Sequence, residues 1–141
     1  MKKSIIYILF IALLACNSSD DNRAYIIKQM VDEVSYLSSD ELEGRETGTD
    51  GEKKAAEYIS SKFLEYGLIG KGTEGFFQTF EASIKENPHT NTIKKKIQAT
   101  NVVGYIDNNQ EETIIIGAHY DHIGYGDFSS LYDGDREIHN G

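Results

Sequence analysis

From Arg23 onward, apolar residues recur at three- and four-residue intervals: Ile26, Ile27, Met30, Val31, Val34 and Leu37. That spacing predicts an amphipathic helix whose stripe faces a core. The period breaks across Ser38 to Gly48, a polar stretch with two glycines that reads as a loop. Thr49 followed three residues later by Glu52 is a capping-box signature. It opens a second helix with Ala55, Ala56, Ile59, Phe63 and Tyr66 on its buried face and Gly67 as left-handed terminator. Small residues at 55 and 56 allow close approach to a sheet. Phe76 to Lys85 alternates as a strand, with Phe76, Phe80, Ala82 and Ile84 on one side. Asn87-Pro88-His89 then makes a turn, Ile93 to Ala99 a more exposed strand, and Asn101 to Ile106 a further strand. Thr113 to Ala118 contains a β-branched run with no polar face, which predicts a strand buried on both sides. Together these elements predict an α/β fold with a mixed, mostly parallel central sheet flanked by helices.

The buried run closes on Gly117-Ala118 and then delivers His119, Tyr120, Asp121 and His122. In open parallel sheets ligands sit beyond the carboxyl ends of the strands, so polar side chains placed there face the working edge. If the backbone stays extended past Ala118, the imidazole of His119 and the carboxylate of Asp121 project to the same side. A metal-binding histidine needs its second nitrogen held by an acceptor, and a nearby carboxylate fills that role. The bland alternative is a turn histidine pair with a satisfied local hydrogen bond. What favours chemistry is position, a hydrophobic strand ending in Gly-Ala-His.

Other polar stretches carry less. Asp40, Glu41, Glu43 and Glu46 read as a solvated loop in which Arg45 satisfies carboxylates or backbone carbonyls. Gly70 to Gly75 is glycine-rich but lacks the Gly-Lys-Ser/Thr ending of a phosphate loop. Lys94, Lys95 and Lys96 read as a charged edge that discourages sheet-to-sheet pairing. The formal charge of -9 repels nucleic acid and leaves no basic patch to bind it.

The amino terminus has a different grammar. Met1-Lys2-Lys3, an apolar run from Ser4 to Leu14 too short to span a bilayer, and Ala15-Cys16 make an export signal. Leu13-Leu14-Ala15-Cys16 resembles a bacterial lipobox, which implies that Cys16 is lipidated, becomes the mature amino terminus and anchors the exported chain to a bacterial cell membrane. A plain signal peptide or an uncut anchor would carry the same basic and apolar pattern. Residues 17–22 are polar and read as a tether. Because Cys16 is the only cysteine, neither a disulfide framework nor a cysteine-based zinc site can form.

Several separated blocks then agree on a family. Ser39 to Thr49, Tyr66-Gly67-Leu68, Phe77-Gln78, Asn101-Val102-Val103-Gly104 and Gly117 to Gly124 occur in the same order in secreted bacterial zinc aminopeptidases of the co-catalytic di-zinc exopeptidase family. The resemblance spans roughly residues 30 to 141. It implies the phosphorylase/hydrolase-like fold of those enzymes, two zinc ions, and hydrolysis of amino-terminal peptide bonds by a metal-activated water with a glutamate as base. By position, His119 is implied as a ligand of one zinc and Asp121 as the site residue that orients it; His122 matches no ligand. Family members continue after Asn-Gly, here Asn140-Gly141, into the segment with the bridging aspartate, and later supply a Glu-Glu pair, another aspartate and a last histidine. The resemblance therefore implies that residues 23–141 are the amino-terminal portion of a peptidase domain, incomplete and inactive alone. Metallo-β-lactamase-like enzymes also place a His-x-His-x-Asp-His motif after a buried strand, but its first position falls here on Gly117. Glutaminyl cyclases and carboxypeptidase-type relatives share the scaffold, and a non-catalytic surface lipoprotein or binding module is the alternative from another class.

Overall fold

In the computed structural model, residues 18–85, 93–126 and 134–141 are described. Cys16, the export signal, the turn at Asn87-Pro88-His89, and Asp127, Tyr132 and Asp133 lie outside them. The chain divides into two compact units, one ending at Tyr36 and one beginning at Leu37.

The described part of the first unit is helix α1, which runs Ser18–Leu37 into the start of the second. It begins before the apolar stripe and takes in most of the polar stretch read as a tether. Asp20 and Asp21 sit in its first turn, where carboxylates complement unpaired backbone N–H groups. Lys28 and Asp32 add an exposed pair one turn apart, 2.6 Å from nitrogen to oxygen. The expected core stripe is not buried: Ile26, Ile27, Met30, Val31 and Val34 are 47 to 63 % exposed. A helix that is the only described element of its unit has nothing there to bury its apolar face against.

The second unit is built around a short 3-10 segment, Asp40–Arg45, helix α2, Asp50–Glu65, and two small sheets. Thr49 caps α2 by accepting from the Glu52 amide, and Gly67 lies at φ +78 past the helix end. Ala55 and Ala56 are buried on α2, which packs on the 3-10 segment and on strand β3, Ile93–Val102. Strand β2, Phe77–Lys85, pairs antiparallel with β3 from Phe77↔Val102 to Ile84↔Lys95, with a bulge between Ile84 and Lys85. Ile97 and Ala99 turn inward, and on the opposite face Lys96 reaches Glu81 at 2.6 Å. Strands β1, Ile69–Gly70, and β4, Gly104–Tyr105, form the second antiparallel pair. Phe63 of α2 meets Phe76 edge to face at 6.2 Å. No helix among the described residues is long and apolar enough to cross a membrane.

Two expectations are corrected. The fold mixes helices and strands, but both sheets are antiparallel, because the strand ladders join β2 to β3 and β1 to β4. The run at 113–118 forms no regular element and enters no ladder, and Ile114, Ile115 and Ile116 are 89, 89 and 94 % exposed. A β-branched run favours extended backbone, but burial requires neighbouring strands on both edges, and none of the described strands pairs with it.

Leu42, fully buried, marks the closest packing of the 3-10 segment on α2. A methyl group on Gly51 would collide with the Leu42 carbonyl oxygen. Replacing a helical glycine by alanine ordinarily stabilises by about 1 kcal/mol. Here Gly51→Ala should reverse that sign and lower the urea midpoint; an unchanged or raised midpoint would show that the contact can relax at no cost.

Candidate functional site

The polar loop after α1 folds tightly because three successive residues take left-handed backbone: Glu43 at φ 48, Gly44 at φ 67 and Arg45 at φ 49. Only glycine adopts that region without steric cost. The curl turns the Gly44 and Arg45 carbonyls toward residues 122–124, where they accept from the amides of Gly124 and His122, each at 3.0 Å. The Gly124 carbonyl in turn accepts from the His139 amide at 2.8 Å. A side chain at 44 would stand 2.5 Å from the carbonyl oxygens of Gly124 and His139, so this three-segment contact requires glycine.

Arg45 completes the junction from inside. Its guanidinium, on a residue 8 % exposed, donates from Nε to the Tyr120 carbonyl at 2.7 Å and from Nη2 to the Asn140 carbonyl at 2.9 Å. Nη1 donates to the Leu37 carbonyl. Of the two expected partner types, backbone carbonyls are the ones used. Burial pushes the guanidinium pKa below its ordinary value, while the nearby Asp121 carboxylate opposes the shift.

This junction sets the sides of the next strand-like residues. Tyr120 points toward α2, and its hydroxyl donates to the Thr100 carbonyl and lies 3.3 Å from Glu52 Oε1. Glu52 is 5 % exposed; Oε2 accepts from the Gly48 amide at 2.8 Å and Oε1 from the Thr100 amide at 3.0 Å. Its role thus extends beyond the predicted helix cap to tie β3 and Tyr120 to α2. Desolvation, then the Glu52 charge, raises the Tyr120 phenol well above its usual pKa.

With Tyr120 turned one way, His119 and Asp121 lie together on the other. His119 Nδ1 is 3.0 Å from the Asp121 carbonyl and 3.3 Å from its Oδ1, and Thr47 Oγ1 donates to Oδ2 at 2.7 Å. Both groups facing Nδ1 are acceptors, so the network assigns the proton to Nδ1 and leaves the Nε2 lone pair available. The imidazole is 82 % exposed and the carboxylate side chain 45 % exposed. The pair borders an open cleft of about 690 Å³ between residues 113–121 and the end of β3, and a smaller one of about 330 Å³ lined also by Glu46, Ile97 and His122.

Among the described residues, no group of three or more His, Cys, Asp or Glu side chains converges as metal ligands do. His119 offers one nitrogen suited to a metal; His122 contributes its backbone amide to the junction. Thr47 was not distinguishable in the sequence, since a threonine beside a capping threonine carries no signal of a partner 74 residues away. Comparison with protein-family models, curated proteins and solved structures returned no match.

Two measurements test the junction and the buried phenol. Arg45→Lys keeps the charge but loses the fork that reaches three carbonyls, and should cost about 2–4 kcal/mol. Hydrogen exchange at the His122 and Gly124 amides should quicken before that in α2; uniform quickening would deny the junction its local role. A phenol whose folded pKa is raised contributes stability that is complete below its ordinary value near 10 and lost as pH climbs through the folded value. Wild-type stability should therefore decline above about pH 10. Tyr120→Phe should be about 1–2 kcal/mol less stable at neutral pH and show a shallower alkaline decline. Parallel pH curves for the two proteins would contradict the assignment.

Proposed function

We propose that this chain carries the histidine–aspartate corner of a metal-dependent exopeptidase, an aminopeptidase acting on amino-terminal peptide bonds and exported as a lipoprotein through Cys16. The observation that supports the reading is the orientation of one pair: Asp121 Oδ1 and the Asp121 carbonyl both face His119 Nδ1, which leaves the Nε2 lone pair of an exposed ring for another partner. That is the arrangement a histidine ligand needs, with its tautomer settled before a metal arrives.

A bound metal pair would polarise the scissile carbonyl and lower the pKa of the attacking water. The chain's own part is narrower. His119 presents a ligand nitrogen, Asp121 orients it, and the groove beside residues 113–121 offers mainly apolar wall to a peptide. One recognisable ligand does not make a catalytic centre, which generally takes three from the protein. On this reading the other ligands and the general base come from chain outside these 141 residues, and the polypeptide alone is inactive.

The test is a titration of the 15N-histidine-labelled, metal-stripped chain with zinc chloride, alongside an aminopeptidase assay. Zinc should perturb His119 Nε2 selectively, with weak affinity and no turnover, and His119→Ala should abolish that response. Zinc leaving His119 untouched, or acting equally on all four histidines, would favour the non-catalytic binding module; stoichiometric tight zinc with turnover would refute the incomplete centre.

A further inference from the structure

We propose that Thr47 is a positioning residue for His119, acting through Asp121. The inference rests on the reading that Nε2 of His119 is the metal-facing atom, and it concerns what keeps that atom free.

Asp121 is bound differently at its two carboxylate oxygens. Oδ2 accepts from Thr47 Oγ1 at 2.7 Å, a charge-assisted distance, whereas Oδ1 faces His119 Nδ1 at the looser 3.3 Å. The firmer restraint on the carboxylate therefore comes from Thr47. With its side chain 45 % exposed, Asp121 has water as an alternative partner, and an unrestrained carboxylate would turn Oδ1 away from the ring. Threonine suits this task because its β-branched side chain holds few rotamers.

Thr47 is itself held in place. It lies between Arg45, which is locked into the three-carbonyl junction, and Thr49, which caps α2 and whose hydroxyl donates to the Glu46 carbonyl at 2.6 Å. Its hydroxyl thus transmits the rigidity of the junction and helix start to an exposed catalytic-type pair. The Asp121 carbonyl also faces Nδ1 at 3.0 Å, so loss of Thr47 should weaken the tautomer preference rather than abolish it. What the carboxylate adds is a negative charge against the Nδ1 proton, and that depends on its orientation.

The test uses the full 141-residue chain, 15N-labelled at histidine and free of metal, with ring nitrogen shifts reporting the tautomer of His119 at a pH where the ring is neutral. Wild type should be mainly Nδ1–H. Thr47→Val, nearly isosteric but without a donor, should lower the Nδ1–H to Nε2–H ratio about three- to tenfold, less than the full loss of a hydrogen bond to a charged group because the Asp121 carbonyl still faces Nδ1. Thr47→Ser, which keeps the hydroxyl, should restore most of it. A ratio unchanged in Thr47→Val, or an Nε2–H majority in wild type, overturns the proposal. Should Thr47→Val lose the β2–β3 amide pattern, Thr47→Ala is read by the same criterion, and the wild-type tautomer alone can still refute. The zinc titration of wild type separates the two ideas: a tautomer shift in Thr47→Val without a zinc response at His119 sustains the positioning role and removes the metal reading, and the reverse pattern does the opposite.

Discussion

A buried guanidinium among backbone carbonyls is costly to assemble and more costly to lose. Arg45 meets that condition by reaching the carbonyls of Leu37, Tyr120 and Asn140. Desolvating a cation is unfavourable unless its donors are used, and the three interactions use both arms of the fork and Nε. Because an arginine cannot discard its proton as a buried lysine can, the segment must supply acceptors or leave the charge unsatisfied. The left-handed run from Glu43 to Arg45 is the backbone's side of the same bargain, since it turns two carbonyls toward residues 122–124 while sending the side chain inward.

From that junction the alternation of side chains along residues 119–121 does the rest. Tyr120 is drawn to Glu52 and Thr100, and a period of two then puts His119 and Asp121 together on the opposite side. The candidate site is therefore not built by a ladder beneath it. Its sidedness comes from one tyrosine that α2 and β3 hold, and its anchoring from one arginine.

Local rules were legible wherever the decisive interaction lay within one turn or one strand period. Thr49 and Glu52 announced the start of α2, Gly67 its end, and the spacing of 119 and 121 their common face. Long-range partners were not. Glu52 looked like a cap and is also the acceptor for a strand amide and a phenol; Arg45 was readable as a satisfied charge but not as the link among three distant carbonyls; Thr47 was silent. Sheet direction was misread because hydrophobicity at 114–116 reports a tendency to be extended and buried, not the presence of a partner. The break expected between 99 and 101 was equally invisible as continuity: β3 runs through it to Val102, since Thr100 and Asn101 keep the register opposite Thr79 and Gln78.

The isoleucine run has a further physical consequence. A β-branched triplet with its amides and carbonyls outside any ladder is the chemical pattern that cross-β stacking consumes, each copy offering the next the same row of donors and acceptors. Exposed and outside the ladders of the described strands, this stretch is for that reason a place where amyloid-type growth can start. The neighbouring acidic residues Glu111 and Glu112 oppose it by placing like charges close together in any in-register stack.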